Sequence, residues 1–158
     1  IRTTIKEWKT QNFITENEYY FLLTSLLESI DKLANTASVY GAFLKRVKKT
    51  AQKDLVLAAA EIIQGRGEYK VFNEDANDLI SKIKCDILYL DPPYNHRQYA
   101  TNYHLLETIS RYDNPVIKGK TGLRDYSLQK SRYCSKNEVK NAFRDLILNA
   151  SKIRFFKL

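Results

Sequence analysis

The stretch Cys85-Asp86-Ile87-Leu88-Tyr89-Leu90-Asp91-Pro92-Pro93-Tyr94 decides how the chain is read. Its first six residues have the length and apolar character of a largely buried β-strand. Asp91 then stands at the carboxyl end of that strand, the end beyond which open α/β sheets bind their ligands. Pro92 and Pro93 hold a rigid, extended turn and carry no N–H, so their carbonyls remain available as acceptors. Tyr94 adds a flat aromatic face. A carboxylate, a carbonyl and an aromatic plane at one turn suit an amino group on a planar ring. From average residue usage, the tetrapeptide from Asp91 to Tyr94 arises by chance in roughly one chain in two thousand of this length. The competing reading, an edge turn with Asp91 merely solvated, is disfavoured by its place at the end of an apolar run.

The same set of groups suits methylation of nitrogen. The exocyclic nitrogen of adenine is a poor nucleophile because its lone pair is delocalised into the ring. Fixed acceptors for both amino hydrogens favour a pyramidal nitrogen, whose lone pair then points at the methyl group of a sulfonium donor. Positive charge grows on nitrogen during transfer, and preorganised acceptors stabilise it. In-line placement supplies much of the remaining rate.

Outward from this turn, Tyr69 to Phe72 reads as a short strand and Asp75 to Ile83 as a short helix or helical turn. Thr101 to Tyr112 reads as a helix, broken by Asn114-Pro115, and Val116 to Arg132 as a long basic loop. Ser135-Lys136-Asn137-Glu138 has capping-box spacing and predicts a helix from about Lys136 to Ala150. Ile153 to Leu158 is a final strand candidate. Strand, helix, strand, helix, strand is the alternation of a parallel sheet. The expected fold class is α/β, a partial Rossmann-like sheet of mostly parallel strands preceded by a helical segment. Gly65-Arg66-Gly67 punctuates the two parts, giving a helical segment over 1–64 and a partial α/β domain over 65–158.

Within the first part, Glu16 to Leu33 carries apolar residues at helical spacing. A second helix is expected over Val39 to Gln52, bearing the basic cluster Lys45, Arg46, Lys48 and Lys49. Asp54 to Gln64 is ambiguous, its alanines favouring helix.

The bulk properties narrow the partners. With 158 residues the chain can bury a real core, and 44% apolar and 28% charged residues are ordinary for a soluble domain. No apolar run approaches the ~18–20 residues that span a bilayer. A formal net charge of +8 favours a polyanionic partner, although a merely soluble basic protein carries the same charge. The two cysteines, Cys85 and Cys134, form neither a metal spacing nor a disulfide framework, which fits a reduced, cytoplasmic setting. His96 and His104 lie too far apart on a loop and a helix to make a convincing ligand pair, and no metal is expected.

The chain resembles the Dam-like, alpha-group DNA adenine methyltransferases of restriction–modification systems. The run Asp91 to Tyr99, followed by Asn102 to Thr108, is similar to the family's catalytic strand end and the helix behind it. Asn73-Glu74-Asp75-Ala76 resembles its preceding cofactor motif, and Val39 to Lys45 and Ser131 to Ser135 resemble its flanking segments. The resemblance implies a methyltransferase sheet and S-adenosyl-L-methionine as cofactor. It implies that Asp91 and the Pro92 carbonyl bind the target amine, with Pro93 completing the turn, and that Tyr94 stacks on a flipped adenine. Asp75 would hydrogen-bond the adenine end of the cofactor, with Asp91 beside it; as a residue preceding a helix, Asp75 is equally a candidate N-cap. Arg97 and Tyr99 would contact the DNA backbone. Lys45, Arg46, Lys48 and Lys49 would track phosphates or form a solvated face.

The sequence departs from that family in one respect. The Gly-rich loop for the cofactor's methionine end is absent, and Gly65-Arg66-Gly67 precedes a strand instead of following one. The family's order places that loop upstream of Ile1, so 1–64 would belong to or border the target-recognition region. The chain reads as a fragment cut at both ends, expected to bind cofactor poorly and to methylate DNA weakly or not at all on its own. The expected partners are double-stranded DNA and either a cognate restriction endonuclease or a missing N-terminal part, with no membrane. The alternatives are a non-catalytic DNA-binding remnant and an RNA or protein amino methyltransferase.

Overall fold

The computed structural model of the chain describes residues 1–37, 39–42 and 44–150, so the strand expected at Ile153 to Leu158 lies outside the described residues. The regular structure among them is helical: α1 (Arg2–Thr10), α2 (Glu16–Leu33), α3 (Ala76–Leu79), α4 (Tyr99–Asn102), α5 (His104–Arg111) and α6 (Val139–Ala150). Short 3-10 turns lie at Thr50–Gln52, Ser127–Gln129 and Arg132–Cys134. The chain divides into two units, one of Ile1–Gly65 with Ala100–Tyr126 and one of Arg66–Tyr99 with Ser127–Leu158.

In the first unit α2 forms where its periodicity places it. The Thr15 hydroxyl accepts from the Glu18 N–H at 3.3 Å, and the Glu18 carboxylate accepts from the Thr15 N–H at 2.7 Å. This reciprocal pair satisfies two otherwise unpaired N–H groups, and the bonds that the Glu18 carboxylate accepts from the Thr15 N–H and hydroxyl hold it below its ordinary range. Leu23, Ser25, Leu26 and Ser29 form the buried face of α2. Helix α1 was not apparent from its polar sequence. It is anchored by buried Ile5 and by Arg2, whose guanidinium donates to the carbonyls of Ile109 at 2.8 Å and Ser110 at 2.9 Å. Those carbonyls close the last turn of α5, where a cation is favoured.

Two further stretches of this unit differ from expectation. Residues 54–64, ambiguous by composition, run beside α2 without regular structure. The Ser25 and Ser29 hydroxyls accept from the N–H groups of Ala60 at 2.9 Å and Ala58 at 3.1 Å. The helix expected over Val39 to Gln52 is reduced to the 3-10 turn at its end. Asn35 draws the chain into a loop instead, donating to the Leu44 carbonyl at 3.1 Å and accepting from the Lys48 N–H at 3.0 Å. Gly41 suits the close approach there, since a Cβ would sit a tight 3.3 Å from the Thr101 carbonyl oxygen.

In the second unit α3, α6 and the Arg132–Cys134 turn enclose a core of Ile80, Tyr133, Ala142, Leu146 and Ala150, with Ile83, Leu88 and Phe143 packed against it. The Ser135 carbonyl accepts from the N–H groups of Glu138 and Val139, and α6 begins at Val139, slightly later than its capping-box spacing suggests.

The Rossmann-like parallel sheet is not observed. Among the described residues there is no strand, only an isolated antiparallel bridge between Lys118 and Leu123, closed by a turn in which Gly119 and Gly122 take positive φ. The reason is that a strand is defined by its neighbour. β-branched and aromatic residues favour extended backbone, but without a partner ladder no strand results. Along 85–90, Leu88 packs on the helical core while Ile87 and Tyr89 remain 87% and 82% exposed. Val71, in the other expected strand, is 97% exposed. Leu88 docks on the helical core, but Leu90, which an alternation of two would bury with it, is exposed.

Candidate functional site

The Asp91–Tyr94 turn lies in the second unit, and two concavities of that unit meet it. The first, of about 520 Å³, is lined by Asn73 to Ala76, by Pro92 and Pro93, and by Leu128 to Tyr133. The second, of about 480 Å³, is lined by Tyr94, Asn95 and His96 with Cys134, Val139 and Phe143. Both volumes fall in the range of small-molecule sites. Pro93 and Tyr133 line both, so they form the partition between them. Of the residues singled out from sequence, Asp75, Pro92 and Pro93 share the first concavity. Tyr94, 83% exposed, borders the second. Asp91 is exposed at the entry to the turn and lines neither.

Asp75 caps α3, one of its oxygens accepting from the Asn77 N–H at 2.8 Å. Asn77 is buried and joins three elements. Its amide donates to the Ala142 carbonyl of α6 at 2.9 Å, and its carbonyl oxygen accepts from the Tyr133 hydroxyl at 2.5 Å. Burial, and then the charge of Asp75, push the Tyr133 phenol above its ordinary value, so the hydroxyl remains a donor. The Tyr133 ring meets Phe143 edge-on at 5.1 Å.

A second set of bonds fastens the 131–134 segment to the residues after the turn. The Gln98 amide donates to the Ser131 carbonyl at 3.2 Å and accepts from the Ser131 N–H at 2.7 Å. The Cys134 thiol lies 3.3 Å from the Arg97 carbonyl oxygen, to which it donates. Burial holds that thiol above its ordinary value and therefore neutral. The Asn95 side chain accepts from the Arg97 N–H at 2.8 Å, a local turn that continues the rigidity of the prolines. Sequence reasoning missed Asn77, and reached Gln98 and Tyr133 only as members of the runs Asp91 to Tyr99 and Ser131 to Ser135, with no role assigned to either.

Of the residues expected to meet DNA, Arg97 is exposed and Tyr99 opens α4, 44% exposed. Lys45, Arg46, Lys48 and Lys49 are exposed in the first unit, on irregular backbone and not on a helix, and the Lys48 ammonium donates to the Thr36 carbonyl. In the basic loop, Arg124 is buried and pairs through both terminal nitrogens with Asp113, at 3.1 and 2.6 Å, so it holds the loop together. Among the described residues no three His, Cys, Asp or Glu side chains converge as a metal site, and no helix is long and apolar enough to cross a membrane.

Comparison with known proteins adds to this geometry. Residues 3–157 match a family described as D12 class N6 adenine-specific DNA methyltransferase. The type II methyltransferase M.NlaIII of Neisseria lactamica is 56% identical over 150 residues, which are 95% of this chain and 44% of that protein. The modification methylase StsI of Streptococcus sanguinis is 50% identical, over 94% of this chain and 23% of its own length. The type II methyltransferase M.FokI of Planomicrobium okeanokoites is 50% identical, over 96% and 23% respectively. The chain thus spans less than half the length of these curated relatives. No solved structure matches it.

Proposed function

We propose that this chain, which belongs to the D12 class N6 adenine-specific DNA methyltransferases, carries the target-amine site of an enzyme that methylates the exocyclic amino group of adenine in DNA. The observation that supports this reading best is the convergence of Asp75, Pro92 and Pro93 on one concavity, with Tyr94 on the concavity beside it. A planar base and an adenosine-bearing cofactor would thus lie on either side of one rigid turn.

In this reading Asp91 and the Pro92 carbonyl accept the two amino hydrogens of a flipped adenine, and the ring stacks on Tyr94. Pro93 keeps the turn extended. S-adenosyl-L-methionine supplies an electrophilic methyl group when bound. Asp75 and the walls formed by Pro92 and Ser131 would hold its adenosine end, and an exposed carboxylate beside proline carbonyls is a fitting acceptor set for an adenosine. Asp91 acts by orienting the nitrogen and by stabilising the charge that grows there. Once the nitrogen has gained its methyl group it is acidic, and its proton leaves to Asp91 or water. Arg97 and Tyr99 would meet the backbone next to the flipped base, and Lys45, Arg46, Lys48 and Lys49 would add phosphate contacts. The region up to Gln64 belongs to or borders target recognition. Double-stranded DNA is the partner, in a cytoplasmic restriction–modification setting with a cognate endonuclease.

The test is methyl transfer from labelled S-adenosyl-L-methionine to an adenine-containing duplex, under single turnover, with DNA affinity read by anisotropy. Asp91→Ala should abolish transfer while leaving DNA affinity within about twofold, since backbone contacts dominate affinity. Undiminished transfer by Asp91→Ala, or transfer to RNA and not to duplex DNA, overturns the reading.

A further inference from the structure

We infer that Gln98 is a positioning residue, a two-point latch that holds the 131–134 segment closed as the shared wall of both concavities; its functional meaning rests on the proposed adenine-methylating site. Among the described residues no sheet supports the wall. It consists of Ser131 followed by the 3-10 turn Arg132–Cys134. Tyr133 from this turn forms the partition between the concavities, and Ser131 and Arg132 line the first. One side of the wall is held from the core by the Tyr133 hydroxyl on Asn77. The other side is held from the segment that follows the turn, by Gln98 and the Arg97 carbonyl.

Gln98 is suited to this task by its chemistry. A primary amide presents one donor and one acceptor side by side, the complement of the N–H and C=O of a single residue. Ser131 is engaged in that way, at 2.7 Å through its N–H and 3.2 Å through its carbonyl. The contact therefore fixes both the position and the rotation of the Ser131 backbone. Ser131 in turn caps the 3-10 turn, its hydroxyl accepting from the Tyr133 N–H at 3.3 Å. An error at Gln98 is thus passed to the partition itself. Gln98 lies four residues beyond Tyr94, so the latch also ties the wall to the turn that presents the aromatic face.

Cys134 provides a reporter within the wall. Its thiol is bonded to the Arg97 carbonyl and the residue is buried where it borders the second concavity, so it reacts slowly with a thiol reagent while the wall is closed and faster when the wall swings out. The experiment replaces Cys85 by Ser, leaving one thiol, and compares Gln98 with Gln98→Met and Gln98→Leu. Both substitutes fill similar space and remove both hydrogen bonds, so a side chain that merely fills volume leaves the readouts unmoved. Two lost bonds predict Cys134 labelling faster by on the order of tenfold. An NMR titration, which reads weak binding, should show affinity for S-adenosyl-L-methionine lowered to a similar degree, with helical circular dichroism unchanged.

Labelling at the native rate in both variants overturns the latch. Faster labelling with unchanged cofactor affinity also overturns it, because the wall would then open without consequence for the site. If the native chain takes up no S-adenosyl-L-methionine at all, that result counts against the proposed function, and the latch stands or falls on labelling alone.

Discussion

Replacing Asn77 by alanine tests whether the site is held together from its core side. The Asn77 amide joins α3 to α6 through the Ala142 carbonyl and receives the Tyr133 hydroxyl. Each lost bond nets about 1 kcal/mol. The Tyr133 hydroxyl would also be stranded, in a residue only 9% exposed, and an orphaned buried group costs a further 1–3 kcal/mol or so. The expected loss is therefore about 3–5 kcal/mol, read as a lower urea midpoint at unchanged m-value. Tyr133→Phe removes the same bond from the other side and strands the buried Asn77 carbonyl oxygen, which by the same reckoning should cost about 2–4 kcal/mol. In the double variant neither group is stranded by the other's loss. The two effects should then sum to at least about 1 kcal/mol more than the double variant shows. Additivity within about 0.3 kcal/mol, or a cost below about 1 kcal/mol for Asn77→Ala, would refute the account of Asn77 as the junction.

Arg2→Ala should destabilise the chain by about 1–3 kcal/mol, and Arg2→Lys should not restore it, because the fork that spans the Ile109 and Ser110 carbonyls is lost in both; a thermal melt of Arg2→Lys matching the native chain contradicts this. The Asp113–Arg124 pair predicts a pH effect. The Arg124 guanidinium bonded to Asp113 holds that carboxyl below its ordinary range, so the stabilisation is present above about pH 4 and is lost as pH falls through the lowered folded value. Acid unfolding curves of the native chain and Asp113→Asn should therefore converge at low pH, and parallel curves would rule the linkage out. Ser25→Ala combined with Ser29→Ala should free the backbone at Ala58 and Ala60, and a Glu-specific protease should then cut at Glu61 on the order of tenfold faster; an unchanged cleavage rate would show that the serines do not hold the segment.

The parts of the fold legible in sequence are those set by local rules. Helix α2 carries its own stripe, and Thr15 and Glu18 cap it within one turn. Asp75 announces α3, and the helix read over Thr101 to Tyr112 emerges as two, α4 and α5. Elements decided by distant partners were misread. The run Cys85 to Leu90 has strand composition, but composition cannot supply the neighbouring ladder that makes a strand, and Ile87 and Tyr89 stand in solvent. Residues 39–52 have helix composition, yet Asn35 and the close approach at Gly41 draw them into a loop. Helix α1 hid in the opposite way: its polar face is engaged, because Arg2 finds its partners more than a hundred residues away.

The site divides along the same line. The residues proposed to meet a ligand were readable because their chemistry is unusual where they stand. An acid, two prolines without N–H groups and a tyrosine after an apolar run have few other reasons to occur together. The residues that hold those groups in place are chemically ordinary. A glutamine after a basic turn and an asparagine in a four-residue helix carry no signature, since their role comes from the backbone they meet, 33 residues away for Gln98 and 65 for Asn77. The consequence is mechanical. A rigid turn fixes its own shape but not its distance from the opposite wall. With no sheet among the described residues to set that distance, it falls to two amides, Gln98 from the side of the turn and Asn77 from the core. Substitutions at these two positions should therefore alter the site at least as strongly as most changes among the exposed cations that the charge pattern brings first to notice.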